Sequence, residues 1–92
     1  GRFTEAIDAL QLLLDKYPTT GHAAEARFLL VEGYFQLKDY DGAATGVEEL
    51  VGNFPDSDLT GFALLRLAAI LESQDRREDA ADVYRAIASH YS

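Results

Sequence analysis

The sequence predicts an all-α fold in which five helices pair as antiparallel hairpins and one two-helix unit recurs along the chain. Three observations lead there. Columns of like residues return every 37 positions. Within each unit the apolar residues follow the 3.6-residue period of a helix. The 48% hydrophobic content is dominated by Ala and Leu, with two prolines and few β-branched residues, a composition that favours helix over strand. A chain of 92 residues fits one small domain, burying only about 60 to 65% of the surface it exposes when unfolded.

The elements follow in order. Phe3, Tyr40 and Arg77 stand 37 residues apart, as do Ala6, Ala43 and Ala80. From Ala6 the apolar positions Leu10, Leu13, Leu14 and Tyr17 line one face, predicting a first helix over about residues 4–17. Leu30, Val31 and Tyr34 form the stripe of a second helix, over about residues 22–37. Ala43, Val47, Leu50, Val51 and Phe54 repeat the first face in a third, over about 40–54. Leu64, Leu67, Ala68 and Leu71 mark a fourth, over about 59–73, and Ala80, Tyr84, Ile87, Ala88 and Tyr91 a fifth, over about 77–91.

Tyr17-Pro18 and Phe54-Pro55 end the helices before them, because a residue preceding proline is pushed out of the α region. Thr20 and Ser57 suit the capping of the helices that follow. The short turns 38–40 and 74–76 leave room only for antiparallel hairpins. Gly42 and Gly46 fall inside the third helix, where a glycine costs about 0.5 to 1 kcal/mol relative to alanine. The equivalent residues Glu5 and Asp79 put Gly42 at an exposed site with room for a methyl group. Both ends of the chain read as cut from a longer array.

Sixteen acidic against eight basic residues give a formal charge of -8 and a pI near 4.5, which disfavours nucleic acid and anionic membrane surfaces as partners. The absence of cysteine removes disulfides and thiolate chemistry and leaves the compartment open. No apolar run approaches the roughly 20 residues of a membrane span.

Chemistry finds little purchase. His22 and His90 lie far apart without a ligand cluster. Thr20, Ser57 and Ser73 have no base at helical spacing, and capping accounts for them better than nucleophilic catalysis. Glu48-Glu49 reads as a solvated face, and Asp56 with Asp58 as a capping turn with too few oxygens for calcium. Gly42, Gly46 and Gly52 are scattered through a helix and make no phosphate loop. No catalytic, cofactor-binding or metal-binding residue is expected, and the chain does not read as an enzyme.

These columns resemble the tetratricopeptide repeat, in which a small residue early in the second helix of a hairpin, helix B, lets it approach the first, helix A. Ala6, Ala43 and Ala80 match that position. Phe3 and Tyr40 match the aromatic three residues earlier, where Arg77 departs. Pro18 and Pro55 match the closing proline. Leu30-Val31-Tyr34 and Leu67-Ala68-Leu71 resemble the family's pattern in helix A, with Val31 in place of a small residue, so a slightly wider first hairpin is expected. The segments YPTTGHAAEA and FPDSDLTGFA resemble a narrower group, the repeats of the periplasmic TolA-binding cell-division coordinator and of the outer-membrane assembly lipoprotein BamD.

The resemblance implies a right-handed superhelix with helices in the order B-A-B-A-B, acting as a scaffold that binds a protein or peptide in a bacterial envelope, with a periplasmic location. The A-helix side opposite the core stripe is then the candidate groove. It collects Glu25, Phe28, Glu32, Phe35 and Gln36 on the first A helix, and Phe62, Leu65, Ala69, Glu72 and Ser73 on the second, apolar anchors among carboxylates. The competing reading has Phe28, Phe35 and Leu65 packing against neighbouring helices. A second function is self-assembly into a homo-oligomer through array ends, with Leu14, Ala81 and Ile87 partly uncovered.

Overall fold

A computed structural model describes residues 1–18 and 21–90. Five α-helices make up these residues: α1 (Arg2–Lys16), α2 (Ala23–Gln36), α3 (Tyr40–Asn53), α4 (Asp58–Ser73) and α5 (Arg77–His90). The expected helices lie within two residues of these bounds. Thr20, expected to cap α2, and Tyr91, expected on the face of α5, lie outside the described residues. No helix among the described residues is long and apolar enough to cross a membrane.

The punctuation between helices repeats with the sequence. Tyr17 and Phe54, each before a proline, leave the helical region with φ/ψ of -132°/64° and -135°/57°, as the clash with the proline ring requires. Ser57 caps α4, its hydroxyl accepting from the Leu59 N–H at 3.2 Å. Asp39 does the same for α3 through the Gly42 N–H at 3.0 Å. Each hairpin turn passes through one left-handed residue, Lys38 (φ 60°) or Asp75 (φ 59°). There the chain doubles back to satisfy the last carbonyls: Asp39 N–H donates to Tyr34 C=O, and Arg76 N–H to Leu71 C=O.

Each helix packs on the next, and α2 also touches α4, whereas α1 and α3, and α3 and α5, do not meet among the described residues. The two A helices therefore form a continuous layer and the B helices are spaced apart on its back. Ile7, Leu14, Ala23, Ala26 and Leu30 fill the space between α1 and α2. The larger core joins α2, α3 and α4 around Val31, Ala43, Val47, Leu50, Ala63, Leu64 and Ile70. Thr60, fully buried, ties α4 to the end of α3 by donating its hydroxyl to the Phe54 C=O at 2.5 Å.

The repeated columns are not equally buried, and the reason is the number of neighbours each helix has. Ala43 and Ala80 are buried beneath α2 and α4, while Ala6 is exposed because α1 has a helix on one side only. Leu13 and Tyr17 are exposed for the same reason. Leu14, expected to be partly uncovered, is instead buried against α2.

Two further expectations are corrected by close packing at glycine. The first hairpin is not widened by Val31, because a Cβ added at Gly46 would stand 2.7 Å from Val31 Cγ2; the glycine supplies the space that the valine takes. One unit later the equivalent pair is Ala68 and Val83, with the sizes exchanged. The contact between α1 and α2 works alike. A Cβ at Gly33 would stand 2.9 Å from Ile7 Cγ1, and the equivalent residues are Ile70 and Ala44. In both cases the larger side chain changes helix from one unit to the next, which keeps the total volume at the equivalent positions within about one methyl group.

Gly42, expected to have room for a methyl group, has none. A Cβ there would lie 2.9 Å from both Tyr34 Cδ1 and Asp39 Oδ2, pressing on a packed ring and on the carboxylate that caps α3. Gly42→Ala is thus expected to lower stability by about 1 kcal/mol, the overpacking outweighing the gain in helix propensity. An unchanged or raised urea midpoint would show that the ring and the cap yield freely.

Candidate protein-binding face

The residues expected to form a groove lie along the edge of each A helix that faces the following unit. On α2 that edge is largely covered. Phe28 and Phe35 are half-buried against the core, so neither stands free as an anchor, and the competing packing reading is correct for both. Glu32 is also engaged. Arg66 of α4 donates from Nε to Glu32 Oε1 at 2.8 Å and from Nη2 to Oε2 at 2.6 Å, and its guanidinium lies 4.8 Å from the centre of the Phe35 ring. Phe35 in turn meets Tyr40 edge-on, the centroids 6.1 Å apart. A planar fork that pairs with a carboxylate and stacks on a ring is a use only arginine serves. Here it pins α4 onto α2. Glu25 and Gln36 remain exposed at the two ends of α2, with Glu25 3.6 Å from His22 Nδ1.

On α4 the same edge is open. Phe62 and Leu65 are 56% and 46% exposed, and Ala69, Glu72 and Ser73 are exposed as well. Phe62 and Leu65 share a cavity of about 350 Å³ with Ile87 and His90 at the end of α5 and with Pro55, Asp56, Asp58 and Gly61 from the turn into α4. Its lining mixes the apolar Pro55, Phe62, Leu65 and Ile87 with the carboxylates of Asp56 and Asp58. It carries one more contact, His90 Nε2 at 3.7 Å from Asp56 Oδ1. Farther along, Glu72 accepts from the Tyr84 hydroxyl at 2.6 Å. That hydrogen bond, with desolvation and the carboxylate's own charge, raises Tyr84 above the ordinary phenol range. Ser73 turns its hydroxyl back onto the Ile70 C=O.

The structure thus brings together Phe62 and Leu65, separates them from Phe28 and Phe35 by their burial, and adds Ile87, His90, Asp56 and Asp58, which helical spacing on one helix does not find. The repeat does contain the signal. Ile87 is equivalent to Leu50, and Leu65 to Phe28, so both stand where the preceding unit meets α4. Arg66 and Glu32 are 34 residues apart, one turn short of the repeat, which is the offset of neighbours across two A helices. Among the described residues no group of three metal-ligating side chains forms.

A layered array of antiparallel helix pairs, with an open edge of apolar and acidic side chains, belongs to the class of helical-repeat interaction domains. The model of the tetratricopeptide repeat-like domain matches residues 2–90, and the chain belongs to that family. Domains of this family mediate protein–protein interaction and are typically non-enzymatic scaffolds. No curated protein matches the chain.

Proposed function

We propose that the chain is a scaffold that holds a protein partner at the open edge of α4, with Phe62 and Leu65 as anchors. The observation that carries this reading is a cavity in which two exposed apolar side chains, Phe62 and Leu65, stand together with the carboxylates of Asp56 and Asp58. Large rings seated in a desolvated pocket supply most of the affinity at such sites. The net charge of -8 steers basic partners and speeds their arrival. Glu32 contributes nothing to steering, since Arg66 neutralises it. The likeness of the Tyr17-Pro18 and Phe54-Pro55 segments to envelope repeat proteins supports a periplasmic site of action in a bacterium.

A photo-crosslinking amino acid at position 62, used in intact cells that are then fractionated, captures the partner and reports its compartment. Against that partner, Phe62→Ala is expected to reduce affinity about tenfold while leaving the melting curve in place. The association rate is expected to fall as salt rises. Unchanged affinity in the folded Phe62→Ala protein moves binding off this edge.

A further inference from the structure

A second recess lies on the back of the A-helix layer, bordered by α1, α2 and α3, where α1 and α3 do not meet. Its volume is about 250 Å³. That is below the roughly 300 to 1,000 Å³ of pockets that take whole small molecules and several times the ~30 Å³ share of one water, a size suited to a single side chain. Arg27, Leu30 and Tyr34 line it from α2, Gln11 from α1, and Asp41 and Glu49 from α3. The fold does not need polar groups at these places. In the next unit the equivalents of Arg27, Tyr34 and Glu49 are Leu64, Leu71 and Ala86, and both leucines are buried.

Arg27 departs furthest from that template. Its side chain is 20% exposed and Nη1 donates to Glu49 Oε2 at 2.5 Å, but Nε is buried and no protein group accepts from it. A buried donor without an acceptor destabilises the fold that holds it. Arg66 shows the satisfied case, with Nε and Nη2 both donating to Glu32. We infer that the recess binds the side-chain amide of a glutamine or asparagine on a partner protein, its carbonyl accepting from the Arg27 guanidinium and its NH₂ donating to Glu49. Charge selects the amide. Asp41 and Glu49 already outnumber Arg27 among the lining residues, so a third carboxylate is repelled, and a cation meets the charge of Arg27 itself. An amide brings acceptor and donor on adjacent atoms and no charge, which matches an arginine paired with a carboxylate. Its methylene stem lies against Leu30 and the Tyr34 ring. The recess shares no residue with the cavity at Phe62 and Leu65, so it stands apart from the binding edge proposed above.

The probe is an acetylated and amidated Gly-Gln-Gly tripeptide, titrated into the isotope-labelled chain while nuclear magnetic resonance follows the Arg27 Nε–H and the Gly42 and Gly46 amides. Saturable shifts at millimolar peptide are expected. The same tripeptide with Glu in place of Gln is expected to bind at least fivefold more weakly, and one with Met, of similar length and without the amide, to leave these signals in place. Arg27→Leu, which installs the residue of the next unit, is expected to abolish the shifts at Gly42 and Gly46 with a melting temperature no lower than the parent's. Glu49→Ala, at an exposed position, is expected to weaken binding at least threefold. Phe62→Ala is expected to bind as the parent does, which separates this recess from the edge of α4. Equal shifts with the Glu or Met tripeptide, retained binding in folded Arg27→Leu, or no shift at millimolar peptide overturns the inference. Acetamide binding as tightly as the Gln tripeptide also overturns it, since the site then serves a free amide and not a side chain.

Discussion

Leu50→Ala is expected to cost about 2 to 5 kcal/mol, the range for deleting a fully buried leucine side chain whose surroundings close only in part. Leu50 is 0% exposed at the centre of the core shared by α2, α3 and α4. In a domain of this size such a loss lowers the melting temperature by more than about 10 °C. The comparison that gives the result meaning is Leu13→Ala, the same column one unit earlier. Leu13 is 40% exposed, and its truncation is expected to cost less than about 1 kcal/mol. Thermal and urea unfolding of the two variants decide the matter. Equal costs would mean that the number of helices around a column does not govern its contribution, contrary to the packing described.

Gly46→Val is the second large effect, at about 2 to 3 kcal/mol, because even the first added carbon would fall 2.7 Å from Val31 Cγ2. Val31→Ala is expected to cost about 2 kcal/mol alone by leaving a void. Together the two substitutions recreate the Ala68 and Val83 pair of the second hairpin, so the double variant is expected to be more stable than Gly46→Val. The coupling should amount to about 1 to 3 kcal/mol in a double-mutant cycle. Additive costs, within about 0.5 kcal/mol, would show that residues 31 and 46 do not share one volume.

How much of this was legible in the sequence depended on whether a property is local. Helix bounds were, because Pro18, Pro55, Ser57 and the apolar stripes act within a turn or two of where they stand. The alanine column was legible at Ala43 and Ala80 and failed at Ala6, since periodicity marks the side a residue faces and not whether anything lies there. Gly42 was misjudged because Tyr34 reaches it from across the hairpin turn and the Asp39 cap folds back over it, and the exposed equivalents Glu5 and Asp79 concealed the contact. The size exchanges at Val31 and Gly46, and at Ile7 and Gly33, become visible only when columns are compared in facing pairs. At the site, Phe62 and Leu65 were found by helical spacing. Phe28, Phe35 and Glu32 were found by the same rule and are covered because α4 follows α2. Arg66 was missed because its partner lies on another helix.

The exchanged sizes at the two hairpins bear on how the chain avoids pairing with the wrong part of itself. Near-identical units invite a helix of one to dock on a helix of another. Were α2 to take α5 as its partner, Val31 and Val83 would compete for one space; were α4 to take α3, Ala68 and Gly46 would face each other across an unfilled gap. At this position each A helix is thus keyed to its own B helix by volume. The Val31→Ala, Gly46→Val double variant, in which both hairpins carry the same key, retains the native packing but loses that discrimination, and its yield of correctly folded protein on refolding from urea is expected to fall below that of the parent.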